Sequence, residues 1–513
     1  MKLTILDNSN IVESYPGITL PLTYSFIQGA YKGIFKGLVG NSLKNDKILT
    51  KFDNVFDNML KSYNGRVYYC INNWYSLIDV MPLSKKIIPV WQDMLGVQST
   101  DVYLENVHSF TFWQRAKTYI NMTLNSVSIP RKMERLDKDF ADAQKYFEET
   151  YSDSLSIDEL LALFYELKCR ILDKWHITLS NDLYAFIWTG ILKRQLKKKG
   201  IDVTGYISGI TSLESLKPVK ELLRLAKKYG ENEDILNEPE VQEYIKLYGD
   251  RSPCELKLEV MTYRAEPTLL ARQIREYANS DRLDDMICNL ENQSTPLKNT
   301  YAAKKAQLGI KHREISRLNR SRMYGMARCI FMRIGELLCE GKHIDEWFDV
   351  FYLEISEIEN GDYASFKQKI TERKLEYEEY EKLPAHSRLV FRGNKLIDEN
   401  IAKNWTGEFT GIGTSGGSIT AEAVVLESPN EKVDVKGKII ITQTTDPGWV
   451  FLLTMASGIV AEKGSLLSHT AIVSRELNIP AVVAVESATS VIKTGDIIEI
   501  NGDTGRVKIV QAN

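Results

Sequence analysis

Apolar positions follow two different patterns along this chain, and the change comes near residue 407. Before about residue 385 they recur with a period near 3.6, as in 155–172 and 321–338, which predicts a mostly α-helical region. Aromatic side chains are frequent there and read as a core stripe. Residues 365–383 are laced with charge (Lys367, Lys369, Glu378, Glu379) and predict a solvated helix near a domain edge. Residues 386–406 read as a linker or hinge. From Gly407 the pattern becomes short β-branched runs at 419–426, 438–442, 459–461, 481–485, 497–500 and 507–510, with helices between some of them. The expected architecture is multidomain. Residues 1–385 form a helical domain, 386–406 connect, and 407–513 form an α/β domain of ordinary size.

Composition narrows the class. At 513 residues the chain is long enough for two or three domains with sizeable cores. With 43% hydrophobic and 26% charged residues it reads as an ordinary globular protein. A net charge of −3 lacks the basic footprint of a nucleic-acid binder. The densest basic run, 193–199, reads as a solvated helix face. No run of 18 apolar residues occurs, so no membrane span is expected. Met1-Lys2-Leu3-Thr4 does not begin a signal peptide. Six scattered cysteines (Cys70, Cys169, Cys254, Cys288, Cys329, Cys339) read as reduced thiols of a cytoplasmic protein, and six dispersed histidines argue against a zinc cluster.

The strongest chemical signal is the run Glu462-Lys463-Gly464-Ser465-Leu466-Leu467-Ser468-His469-Thr470-Ala471-Ile472-Val473-Ser474-Arg475-Glu476-Leu477-Asn478-Ile479-Pro480. It reads as strand, glycine turn, helix and strand. Ser468 is the expected N-cap, His469 falls in the first helical turn, and Asn478 and Pro480 end the helix. An imidazole at a helix N-terminus sits beside free N–H groups and the positive end of the dipole, a setting that suits a phosphate. Neutral imidazole is also a competent nucleophile near pH 7.

This run resembles the swivelling phosphohistidine domain of the PEP-utilising enzymes, a group that includes phosphoenolpyruvate synthase and rifampin phosphotransferase. It departs at Lys463, where the family has a first glycine. Leu467-Ser468-His469 has the form of the rifampin phosphotransferase-like branch. Thr445-Asp446-Pro447-Gly448-Trp449 upstream, and Gly495-Asp496 with Asn501-Gly502-Asp503-Thr504-Gly505 downstream, match further family signatures. Weaker landmarks in the helical region follow the order of the family's central, substrate-binding domain. They are residues 13–25, Gly65-Arg66-Val67-Tyr68, Ser208-Gly209-Ile210 with Glu214-Ser215, residues 248–258 and Asp349-Val350-Phe351-Tyr352-Leu353. The sequence Gly411-Ile412-Gly413-Thr414-Ser415-Gly416 fits G-x-G-x-x-G, but a strand follows it rather than a helix, so the dinucleotide reading fails.

The resemblance implies a phosphotransferase of dikinase type, in which His469 carries the phosphoryl group. Ser468, Thr470 and Arg475 are candidate phosphate contacts; Arg475 equally suits an ion pair with Glu476. In the acceptor domain Arg251 is the candidate phosphate clamp and Glu255 the candidate proton acceptor, with an internal Arg–Glu pair as the alternative. The family's His and Gly around this Arg are Asp250 and Ser252 here. Mg2+ and ATP would act at an ATP-grasp domain for which these residues leave no room, supplied by another chain or a longer precursor. The acceptor would be a small molecule, phosphorylated on a hydroxyl or an amide nitrogen. Two alternatives stand: a condensing, ligase-like enzyme with a phosphorylated intermediate, and a non-enzymatic binding remnant. No metal ligands, nucleic-acid contacts or membrane contacts are expected.

Overall fold

The computed structural model describes residues 3–78, 80, 111–197, 206, 217–251, 254–279, 283–284, 287–288, 300–399, 408–427, 433–445, 449–464 and 468–512. The landmark at 208–215 lies outside them.

Eight longer helices build the first part: α1 (Pro21–Leu43), α2 (Phe112–Thr150), α3 (Ile157–Arg170), α4 (His176–Lys197), α5 (Lys217–Tyr229), α6 (Pro239–Tyr248), α7 (Pro267–Ala278) and α8 (Tyr301–Glu340). Their ends obey local rules. Pro21, Pro239 and Pro267 stand in the first turn, where the missing N–H costs nothing. Thr111–Gln114 and Ser156–Glu159 close reciprocal capping boxes. Helix α8 is the spine. Its buried side chains Met323, Ala327, Ile330, Phe331, Ile334 and Leu338 pack with Phe26 of α1 and Phe164 of α3. The charge-laced stretch forms α9 (Phe366–Lys382), in which only Phe366 and Ile370 are buried.

A five-stranded antiparallel sheet sits against these helices in the order β2-β3-β1-β4-β5. The strands are β1 (Leu3–Asp7), β2 (Leu60–Tyr63), β3 (Arg66–Cys70), β4 (Arg388–Arg392) and β5 (Lys395–Glu399). This corrects the reading of 386–406 as a linker. Residues 388–399 are a hairpin whose first strand pairs with β1 from Leu3↔Arg392 to Asp7↔Arg388. The physical reason is non-local. Leu389 is buried with Leu6, Tyr68 and Cys70, and Arg388 Nε reaches Asp7 Oδ2 at 2.9 Å.

The C-terminal part is an eight-stranded mixed sheet in the order β6-β13-β12-β8-β9-β10-β11-β7. Its strands are β6 (Glu408–Thr410), β7 (Ile412–Ser415), β8 (Ser418–Val425), β9 (Ile439–Thr442), β10 (Gly458–Ala461), β11 (Ala481–Val483), β12 (Ile497–Asn501) and β13 (Arg506–Gln511). All six expected strand runs are present. The central four, β8 to β11, are parallel, and helices α10 (Val450–Met455) and α11 (His469–Leu477) make the crossovers. Their strands are continuously apolar (Ile439, Ile440, Ile441; Ile459, Val460), as sheets covered on both faces require. A single apolar cluster joins Leu222, Val241, Tyr244 and Ile274 of α5–α7 to Ile440, Trp449 and Leu453, so the α/β domain is docked on the helical one.

Candidate active site

The loop after β10 delivers His469. Gly464 turns it with φ +134°, where an added Cβ would lie 3.0 Å from both Ser468 Oγ and Val483 Cβ. Ser468 is then the N-cap of α11; its hydroxyl accepts from Ala471 N at 3.3 Å. His469 is thereby the first residue of the helix, beyond the carboxyl end of a parallel strand, where open α/β sheets bind ligands.

Two hydroxyls and two guanidinium groups act on the imidazole. His469 Nδ1 lies 3.2 Å from Thr445 Oγ1, which lies 2.7 Å from Thr470 Oγ1. When Nδ1–H donates to Thr445 and Thr445 donates onward to Thr470, Nε2 keeps its lone pair and faces away from this chain of hydroxyls. Burial, then the positive charges of Arg317 and Arg251, hold the imidazole well below its ordinary range, so it is neutral at pH 7. Both arginines belong to the helical domain, Arg317 on α8.

The facing wall is knit from three distant segments. Lys257 Nζ donates to the carbonyls of Pro16, at 3.2 Å, and Ile18. Glu259 accepts from Leu20 N at 3.0 Å and from Thr23 Oγ1 at 2.5 Å. Arg328, fully buried on α8, forks onto the carbonyls of Glu255, Lys257 and Leu258 at 2.8–3.1 Å. These bonds bring residues 16–23, 255–259 and Arg328 together.

Behind this wall is a cavity of about 160 Å³. Arg313, Arg317 and Arg320 line it from one face of α8, and Glu13 and Asp182 complete the charged set. Tyr31, Phe35, Tyr69 and Trp74 form its aromatic side. Arg313 pairs with Asp182 at 2.9 Å and Arg317 with Glu314 at 3.5 Å. Burial pushes the Glu13 carboxyl up to about 7, against the pull of Arg317, Arg313 and Arg320. Among the described residues, Glu13 Oε1 and the Nε atoms of Arg251, Arg313 and Arg320 are buried without a hydrogen-bond partner. Buried polar atoms left without hydrogen bonds are costly unless a ligand completes them.

The residues expected from sequence divide between the two walls. His469, Ser468 and Thr470 stand together at the head of α11. Arg475 is buried on the same helix, but its Nε donates to the carbonyl of Thr414 in β7 at 2.9 Å, tying helix to sheet. Arg251 and Glu255 form an ion pair at 3.3 Å, and Ser321 Oγ donates to Glu255 at 2.5 Å. Asp250 is buried against Arg264 at 2.9 Å. Sequence reasoning missed Glu13, Asp182, Arg313, Arg317 and Arg320. The available signal was the i, i+4, i+7 spacing of the three arginines on one helix face.

Residues 434–505 match the family model described as "PEP-utilising enzyme, mobile domain". Over that stretch the chain is similar to the PEP-utilising enzymes. Rifampicin phosphotransferase of Bacillus subtilis (strain 168) is 33% identical over 195 residues, 36% of this chain and 22% of that protein. Rifampicin phosphotransferase of Bacillus cereus is 29% identical over 229 residues, 44% of this chain and 24% of that protein. Prodigiosin synthesizing transferase PigC of Serratia marcescens is 38% identical over 117 residues, 21% of this chain and 12% of that protein. The chain thus matches about a quarter or less of the length of these curated relatives. The mobile domain is the part that carries His469, and no helix among the described residues is long and apolar enough to cross a membrane.

Proposed function

We propose that this chain relays a phosphoryl group through His469 to a small-molecule acceptor held in the helical domain. The observation that carries the reading is the neutral imidazole at the head of α11, acted on by Arg317, which lines the charged chamber, and by Arg251. Phosphoryl transfer asks for in-line placement and for positive charge around the moving oxygens more than for covalent help. Arg317 and Arg251 supply that charge. The His469 Nε2–phosphorus bond breaks as a bond from the acceptor oxygen to phosphorus forms. Nε2 keeps the electron pair, and the imidazole returns neutral. The acceptor's proton passes to Glu13, whose raised pKa suits a general base near neutral pH. Glu255 is occupied by Arg251 and Ser321, so Glu13 is the better base.

ATP and Mg2+ belong to an ATP-grasp domain acting in trans or from a longer precursor. Among the described residues no group of three or more His, Cys, Asp or Glu could hold a metal ion, and no step on this chain is routed through one. A condensing enzyme would use the same relay and differ only in the fate of the phosphorylated acceptor; the likeness to a prodigiosin synthesizing transferase supports keeping it as the second reading.

Intact-protein mass after incubation with Mg-ATP, with and without an added ATP-grasp domain, tests the relay. An acid-labile phosphate that needs the added domain and is absent from His469→Ala supports it. No phosphate under either condition sinks it. A second, unphosphorylated product on adding acceptor would move the reading to condensation.

A further inference from the structure

The charged chamber is the first of three cavities set in a row along α1. The second holds only about 20 Å³, room for one methylene-sized group, and shares Phe35 and Trp74 with the chamber. The third holds about 320 Å³ and shares Leu38, Ser42 and Met122 with the second. From Tyr31 in the chamber to Ser42 in the third cavity the helix advances about 16 Å.

The two ends differ in chemistry. In the chamber, Glu13 Oε1 and the Nε atoms of Arg313 and Arg320 are buried without hydrogen-bond partners among the described residues. In the third cavity much of the polar lining is already bonded, the buried Tyr184 hydroxyl excepted. Lys132 Nζ donates to Asn125 Oδ1 at 3.0 Å, Asn125 Nδ2 to the Asn41 carbonyl at 3.0 Å, and Ser180 Oγ to the His176 carbonyl at 2.9 Å. What remains for a ligand there is the Tyr184 hydroxyl in an otherwise mainly apolar wall of Leu38, Met122, Ile129 and Leu183. Tyr119 and Ile187, 61% and 44% exposed, stand at its mouth, where apolar side chains facing water mark a binding groove.

We infer that the acceptor is an elongated amphipathic molecule, with a polar nucleophilic head in the charged chamber, a thin unbranched link past Phe35 and Trp74, and an apolar body in the groove between α1, α2 and α4. The inference rests on the relay reading for the chemistry of the head alone; the shape comes from the cavities. The narrow middle cavity excludes acceptors whose head and body are one fused ring system. It also selects for length, because an acceptor too short to reach the groove leaves that apolar wall uncovered.

Binding of primary alcohols to the unphosphorylated full chain, by isothermal titration, tests this without any transfer step. Along the linear series from butan-1-ol to decan-1-ol, affinity should rise roughly threefold to fourfold per added methylene, the factor expected for burying each CH₂. Cyclooctanol should bind about tenfold or more weakly than octan-1-ol. Met122→Trp and Ser180→Trp fill the groove at two separate places. Either should flatten the series while leaving butan-1-ol unchanged, and either suffices if the other does not fold. Affinity independent of chain length, or cyclooctanol binding as tightly as octan-1-ol, overturns the elongated acceptor. Failure of His469 to take up phosphate overturns the relay and leaves the titration unaffected, so the two failures are distinguishable.

Discussion

The two walls of the site treat buried polar groups in opposite ways. On the mobile domain the groups nearest His469 are used locally: Ser468 caps α11, Thr445 links His469 to Thr470, and Arg475 holds Thr414, while only the Thr444 and Ser474 hydroxyls among the described residues of this wall are buried without partners. On the helical domain Glu13, Arg251, Arg313 and Arg320 keep buried atoms without hydrogen-bond partners among the described residues. The first wall is a finished device, rigid and set for one nucleophile. The second is a socket whose electrostatics are complete only with a ligand. A carrier that must meet two partners gains from the first arrangement, and an acceptor site that must prefer the transition state gains from the second.

Removing the nucleophile breaks the comparison outright. His469→Ala should abolish phosphate uptake measured by intact mass while leaving the circular dichroism spectrum unchanged. Next in size is Glu13→Gln. It should slow discharge of phosphohistidine to acceptor by about 10²–10⁴-fold. Wild-type discharge should climb as pH passes about 7, where Glu13 loses its proton, and Glu13→Gln should lose that step. The same group has a stability consequence. Its folded pKa lies above its unfolded value, so its favourable contribution is full below about 4.5 and is lost as pH rises through about 7. Thermal melts should therefore find Glu13→Gln gaining on wild type between pH 5 and pH 8.

Arg317→Ala should cost about 10²–10³-fold in discharge, the usual loss when one donor to developing charge is removed, and should spare uptake from the ATP-grasp domain. Equal losses in both half-reactions would mean that Arg317 supports the fold rather than the acceptor side. Arg475→Met should act on stability alone, lowering it by about 1.5–3 kcal/mol through the orphaned Thr414 carbonyl, with phosphate uptake per folded molecule unchanged. The smallest effect is expected from Thr445→Val, on the order of tenfold in uptake, because the imidazole loses the partner that selects its tautomer. His469 is held neutral well below its ordinary pKa, so uptake in wild type should persist as pH falls through 6.5.

Legibility in sequence followed contact distance along the chain. Ser468, His469 and Asn478 act through neighbours within a few residues, so cap, nucleophile and helix end could be placed from one contiguous run. The β-branched runs of the α/β domain were equally plain, since a strand buried on both faces is apolar throughout. The hairpin 388–399 was misread because its partner, β1, lies some 380 residues away. Arg313, Arg317 and Arg320 look like any solvated basic face of a long helix, and nothing local says that Glu13 and Tyr31 pack over them.

By itself the sequence placed the proposed carrier: which histidine, at which end of which helix, between which strands. Backbone propensity, capping and period-two or period-3.6 burial are short-range effects and leave their mark in consecutive residues. Only the tertiary structure decided the acceptor side. Burial there raises the proton affinity of Glu13, lowers that of His469 and leaves arginine donors unpaired, and burial is a property of segments that meet from far apart in the chain.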